Sequence, residues 1–491
     1  MTPFERRPQL ITYPDSLGGS LRALAALMRD GLGEQFAGGV HVLPPFPSSA
    51  DRGFAPTRYD MVEPRFGTWR DLQAIASAGP LTLDVTVNHL SRLSPEFQDF
   101  ERHGRSSRHA DMFMRPDKVW TSGEVPEADL ETIFLRKPKH PFLDVVIADT
   151  GATERVWATF GSDEDHSDQI DLDYRSPLTI ERYESWFASL ASAGATEVRL
   201  DAVGYLTKER GTSCFMVEPQ IWEILESFEA MAARHGMTTL PEIHADPEVI
   251  EELTSRNHRS YDFILPGLVI HALRTGRADL LVKHLSSLPA TTVTTLDSHD
   301  GIPVQPDLRG ILGIDDLIEL VAALERRGAN VNRILGAKER GIEFDAHQVN
   351  ISYLDAAGGI DHLVVARAIQ LFSPGRPQVY YQGLLGSGND VDAVARTGEG
   401  RSINRSDFSP DEVDHLLRSE AATRQGRLLE LRSTHPAFDA RAPHIEQTSA
   451  AGFDIRWEHE GNSCHIQVDL DQVRARVRTS PATGHGSTWT A

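Results

Sequence analysis

Eight short apolar segments, each ending in turn-forming or polar residues, constrain this chain more than anything else in it. They are Leu10–Asp15, Gly39–Phe46, Leu81–His89, Glu197–Gly204, Met237–His244, Tyr261–Pro266, Thr291–Asp300 and Pro377–Gly383. Helical patterns lie between most of them, among them SLRALAALMRDGL (20–32), WRDLQAIASAG (69–79), IERYESWFASLASAG (180–194) and EPQIWEILESFEAMAARHG (218–236). Strands alternating with amphipathic helices imply a parallel sheet, and eight repeats imply a closed (β/α)8 barrel. The polar residues at the carboxyl ends of the strands should then share one face.

Two connections are too long for simple loops. Residues 91–175 read as a subdomain inserted after the third strand, and residues 301–359, with the helical segment 314–328 and GIEFDAHQVN (341–350), as a second one after the seventh. Both would sit over the barrel mouth. The barrel would comprise residues 1–90, 176–300 and 360–435, ending in a long helix at about 411–432. Residues 436–491 would form a small C-terminal antiparallel β domain, because GFDIRWEHEG (452–461) and SCHIQVDL (463–470) alternate with period two; the tail 476–491 reads as loosely ordered.

The chain of 491 residues carries a formal charge of −22, which disfavours nucleic acid and anionic membrane as partners. Any bound anion must therefore meet a local basic cluster. Two distant cysteines, Cys214 and Cys464, give neither a metal-ligand spacing nor a disulfide framework. With no leader-like start and no apolar run of about 18 residues, the expected location is the cytoplasm.

The strand ends present Asp201 with Arg199 in TEVRLDAVGY, Glu242 in LPEIHA, His299 and Asp300 in TTLDSHDG, and His89 in VTVNH. Each carboxylate alone reads equally as a salt bridge at a barrel end. Three at one mouth repel one another, and glycosyl transfer needs such a set: one carboxylate attacks the anomeric carbon while a protonated one serves the leaving oxygen.

DVTVNH (84–89), EVRLDAVG (197–204), PEIH (241–244) and TLDSHD (295–300), with QIDLDY (169–174), resemble the motif regions of the α-amylase superfamily of retaining glycosidases and transglycosylases. The resemblance implies Asp201 as nucleophile, Glu242 as general acid/base and Asp300 as stabiliser of the oxocarbenium-like state, with Asp297 a rival for the last role. QLITYPDSLG (9–18), GVHVLPPFPSSADRGFAP (39–56), RLDAVGYLTKERGTSCFM (199–216), PQVYYQG (377–383) and GRSINR (400–405) are similar to the sucrose phosphorylase group. There a covalent glucosyl-enzyme is intercepted by phosphate, so no cofactor and no metal is expected and phosphate is a co-substrate. The glucose-binding set implied is Asp51, Phe54, His89, Phe160, Gln169, Arg199, Tyr205, His299 and Arg405.

Two departures bear on the acceptor. DAHQ places Asp345, His347 and Gln348 in the acceptor loop, with histidine where the group tends to carry tyrosine, and FLRKPKHPF (134–142) concentrates Arg136, Lys137, Lys139 and His140. A basic run is as readily a solvated face. Against the negative background it suits an acceptor bearing phosphate, toward which a cationic histidine would also contribute. The expected reaction is sucrose 6-phosphate plus phosphate to α-glucose 1-phosphate plus fructose 6-phosphate. Glu242 would be kept protonated by burial and by Asp201. Plain sucrose, glucosylglycerol and glucosylglycerate are the rival substrates, and an inert carbohydrate-binding barrel is the reading from another class. The expected partners are small molecules, and the oligomeric state stays open.

Overall fold

The computed structural model describes residues 6–137, 139–161, 167–334, 344–482 and 486–491. Its centre is a barrel of eight strands: β1 (Gln9–Thr12), β2 (Val40–Val42), β3 (Leu81–Thr86), β4 (Glu197–Asp201), β5 (Thr238–Pro241), β6 (Ser260–Asp262), β7 (Thr292–Thr294) and β8 (Arg376–Tyr380). Hydrogen-bonded order runs β6-β7-β8-β1-β2-β3-β4-β5. All these pairings are parallel. β5 and β6 do not pair, so the expected barrel carries one seam.

The strands are shorter than the apolar segments that announce them, because each segment also contains the loop after the strand. Within Tyr261–Pro266, Leu265 already opens the helix Leu265–Thr275, and within Pro377–Gly383, Tyr381 opens Tyr381–Leu385. The helix expected over 411–432 is two, Pro410–Leu417 and Glu420–Thr434, since Ser419 caps the second by accepting from the Ala422 amide.

Strand side chains alternate between faces, so Val198 and Leu200 of β4 pack outward while Arg199 and Asp201 point inward. Register sets Asp84 beside Arg199 and Thr86 beside Asp201. The barrel interior is polar and closely partnered. His41 Nε2 donates to Asp84 at 2.6 Å, Gln9 donates to Thr82, Thr82 donates to Glu197, and Arg376 meets Glu197 at 2.7 Å.

The first insertion begins where His89–Ser91 pairs antiparallel with Gln169–Asp171, and it carries the hairpin Phe142–Val146/Thr153–Trp157. In the second, Ala346–Asn350 pairs with Ile302–Pro303 and Asn330–Arg333 beside the helix Ile314–Glu325. Residues 341–343 of the segment GIEFDAHQVN lie outside the described residues. The C-terminal sheet has five strands. The tail that reads as loose supplies two of them, Arg474–Ser480 and Ser487–Thr490, because alternation in RARVRTS buries Ala475, Val477 and Thr479.

Candidate active site

β4 delivers Asp201 to the mouth, and Ala202, left-handed at φ 56°, then turns the chain away. That turn aims the Ala202 amide at Glu242, donating to Oε2 at 3.1 Å. Arg199, 3% exposed, meets Asp84 at 2.6 Å, Asp201 at 2.8 Å and Glu242 at 3.7 Å. One guanidinium thus spans the nucleophile and acid/base candidates, anchored from below by Asp84 and, through it, His41. Burial would raise the Asp84 pKa, but His41 and Arg199 outweigh it and hold Asp84 below the usual carboxylate range.

Asp201 behaves oppositely: burial, with the charges of Glu242, Asp84 and Asp300, raises its pKa against Arg199. Asp300 is held well below the usual range. Burial opposes this, but His299, Arg401 at 3.2 Å and Arg405 at 3.6 Å prevail. Glu242 departs from the expectation of a protonated acid. Burial favours the neutral form, yet the hydrogen bond from His244 and the field of Arg199 bring its pKa to about 2. Burial likewise disfavours charge on His244, but Asp307 and Glu242 lift that imidazole to about 10. The free site therefore holds an imidazolium between two carboxylates.

Around these groups the pocket wall includes Asp51, Phe54, His89, Phe160, Gln169 and Tyr205. His299 and, from the two insertions, Arg136, His347 and Gln348 also line it. Phe54 stacks on His299 at 4.8 Å. Its carbonyl accepts from His89 Nε2 at 2.8 Å and Gln169 Nε2 at 2.9 Å, fixing a loop in which Asp51 and Arg52 adopt φ of 46° and 49°. Burial lowers the pKa of His89 and takes that of His299 to about 4, so both imidazoles are neutral.

Arg199 and Arg405 act from behind the wall: Arg405 reaches Asp51 at 3.2 Å and donates to the His299 carbonyl at 2.8 Å. Asp297 is no rival to Asp300. It lies 4% exposed against Arg367 at 3.3 Å, away from the pocket lining.

Of the basic run, only Arg136 lines the pocket. Lys137 is fully buried and donates to the Phe142 carbonyl at 2.7 Å, while Lys139 is exposed outside the lining. Asp345 does not reach the pocket either, being paired with Arg333 at 2.5 Å. His347 is in place but is not the expected cation. Burial, then Arg136, pushes its pKa well down. Its Nδ1–H donates to the Gln305 carbonyl at 2.6 Å, and Nε2 accepts from Arg136. The imidazole positions the guanidinium.

Among the described residues, sequence reasoning missed four that line the pocket, Ala202, Phe215, His244 and Arg401. His244 and Arg401 stood inside quoted motifs, and the signal that could have found them was charge beside a cluster of carboxylates. Arg401 bridges Asp51 and Asp300 at 3.2 Å each. Glu242, His244 and Asp300 each offer a donor atom within 4.8 Å of the others. Both nitrogens of His244 are engaged by carboxylates, so these groups form a charge network rather than a lone-pair cradle.

A (β/α)8 barrel with three carboxylates and a spanning arginine at its strand ends defines a glycosyl-transferring enzyme. Residues 36–280 match the family model "Alpha amylase, catalytic domain". The sucrose 6(F)-phosphate phosphorylase of Thermoanaerobacterium thermosaccharolyticum is 42% identical over 96% of each chain. The glucosylglycerol phosphorylase of Marinobacter adhaerens is 38% identical over 96% of this chain and 95% of its own. The sucrose phosphorylase of Streptococcus mutans is 35% identical over 98% and 99%. A crystal structure of a sucrose 6F-phosphate phosphorylase from Thermoanaerobacter thermosaccharolyticum superposes with TM-score 0.95 at 40% identity, covering 99% of this chain and 98% of that one. The chain belongs to the α-amylase family and, within it, to the glycoside phosphorylases.

Proposed function

We propose that the chain is a retaining phosphorylase that converts sucrose 6-phosphate and phosphate to α-glucose 1-phosphate and fructose 6-phosphate, in the cytoplasm and without a cofactor. The observation that carries this reading is Arg136, held by His347 in the lining of the same pocket as Asp201, Glu242 and Asp300, a position we read as the acceptor side. A fixed guanidinium in a buried site recognises a phosphate monoester, and a neutral acceptor would leave it unpaired. The relative from Thermoanaerobacterium thermosaccharolyticum, by its name, acts on a phosphorylated sucrose. The buried, unpaired cysteines Cys214 and Cys464 suit a reducing compartment.

A proton on Glu242 removes one of the charges that raise the pKa of Asp201, so Asp201, paired with Arg199 at 2.8 Å, attacks the anomeric carbon as the carboxylate while Glu242 passes its proton to the departing fructosyl oxygen, leaving a β-glucosyl ester on Asp201. Asp300, ionised, faces the developing positive charge. Phosphate then attacks from the vacated face with Glu242 as base, and two inversions give net retention. A donor anion beside Glu242 raises its pKa from the low value of the free site, which loads the acid when substrate arrives.

The test measures phosphate-dependent glucose 1-phosphate formation from sucrose 6-phosphate, sucrose, glucosylglycerol and glucosylglycerate. The highest kcat/KM is expected on sucrose 6-phosphate. A preference for any of the others overturns the acceptor assignment, and release of glucose independent of phosphate overturns the phosphorylase.

A further inference from the structure

His244 stands two residues after Glu242 at the end of β5, on the same side of the chain. Its Nε2 lies 3.3 Å from Glu242 Oε1, and its Nδ1 lies 3.2 and 3.3 Å from the two oxygens of Asp307. The ring stacks on Phe263 at 3.9 Å with an interplanar angle of 14°, which supports its plane between the two carboxylate partners. Asp307, in the second insertion, is 3% exposed. His347 stands edge-on to the ring at 6.3 Å and is itself bound by Arg136. Arg199 and Asp300 face Glu242 from the other side, and Asp246, paired with Arg309, faces Asp307 from beyond.

Asp307, though buried, borders a second cavity. Although absent from the lining of the sugar pocket, it lines a cavity of about 510 Å3 that also takes in Tyr261, Asp262 and His284. That cavity flanks β6 at the unpaired β5–β6 seam, so the His244–Asp307 pair spans from the catalytic carboxylate to a separate opening.

We propose that His244 and Asp307 form a proton couple that charges and discharges Glu242. In the first half-reaction the His244 Nε2–H bond breaks and the proton passes to the Glu242 carboxyl, which protonates the departing glycosidic oxygen. The C1–O bond breaks with its electron pair on that oxygen, and Asp201 forms the new C1–O bond. Asp307 holds the Nδ1 proton throughout, which fixes the tautomer of the neutral imidazole. In the second half-reaction a phosphate O–H gives its proton to Glu242, which returns it to Nε2 as the phosphate oxygen displaces Asp201 from C1. No proton is left over. His244 and Asp307 are positioning residues, acting through Glu242.

This inference rests on the proposed phosphorylase reading, and α-glucosyl fluoride separates the two, because fluoride leaves carbon without a proton. Wild-type enzyme with fluoride and phosphate forms α-glucose 1-phosphate if the phosphorylase reading holds, whatever the role of His244. Asp307→Asn is then compared with wild type on sucrose 6-phosphate and in first-turnover fluoride release. The expected result is a loss of at least about tenfold in kcat on the sugar phosphate, with fluoride release within about twofold, in the range of general-acid effects. The alkaline limb of kcat/KM on the sugar phosphate should also move to lower pH by about a unit or more. An equal loss on both donors, or an unmoved alkaline limb, overturns the couple. His244→Gln, read the same way, decides the matter should Asp307→Asn fail to fold.

Discussion

Asp201 takes its chemistry from three neighbours that β4 alone does not supply: Arg199 beneath it, Asp84 across the register and Glu242 on the next strand. Asp201→Ala should abolish phosphorolysis and leave the fold intact, because Arg199 keeps Asp84 and Glu242 as partners. Residual activity above about one part in a thousand of wild type, measured as glucose 1-phosphate release, would sink the assignment. Gly204 makes a different prediction. A Cβ there meets the Phe215 ring at 2.7 Å, and Phe215 lines the pocket. Gly204→Ala should cost about 1–3 kcal/mol in denaturant unfolding and lower kcat/KM together. At this scale the grouping of the carboxylates was legible, because three at the strand ends of one barrel need a shared reason that a single barrel-end salt bridge does not supply, and the structure brings Asp201, Glu242 and Asp300 to one pocket. Protonation states were not. Which of His244 and His347 carries charge depends on Asp307 and Arg136, which stand in irregular stretches of the two insertions whose approach no period announces.

The two insertions meet over the barrel mouth, where the proposed acceptor would be read. The segment around Arg136 bridges to Phe160 of the same insertion, while His347 sits on the strand Ala346–Asn350 of the other, so the Arg136–His347 contact ties the two insertions together over the mouth. Arg136→Ala should raise KM for sucrose 6-phosphate by about tenfold or more and leave kcat/KM on plain sucrose within about threefold. Equal losses on both would show that Arg136 does not read the phosphate. Alternating strands and amphipathic helices made the barrel legible, because periods of 2 and 3.6 are written in the sequence. The basic run misled for a physical reason. Lys137 uses its charge inside its own loop, on the Phe142 carbonyl, and sequence proximity to Arg136 cannot reveal that. The tail misled likewise: Gly, Ser and Thr suggest looseness, but edge pairing to Arg474–Ser480 orders Ser487–Thr490.

Across the whole molecule, the buried pocket histidines add to the acid sensitivity of the fold, alongside carboxylates such as Asp84 and Asp300 that are held below their usual range. His89, His299 and His347 all have folded pKa values below the ordinary one, with burial the largest cause, and for His299 the value is about 4. In the unfolded chain these imidazoles take up protons near pH 6.5. Below that pH the unfolded state binds more protons than the folded one, so stability falls as pH drops. His244 has the opposite sign. Its raised pKa, about 10, contributes stability that is complete below about pH 6.5 and is lost as pH climbs toward 10. The neutral group thus works against the fold in acid, and the charged one works against it in alkali. Replacing His347 by Asn removes one acid-side proton uptake while keeping a side chain able to donate to the Gln305 carbonyl. In urea titrations, the fall in unfolding free energy between about pH 6.5 and 5 should then be shallower than in wild type. An unchanged slope would mean that His347 is already protonated in the folded protein, and would remove the account of Arg136 as a guanidinium held by a neutral imidazole.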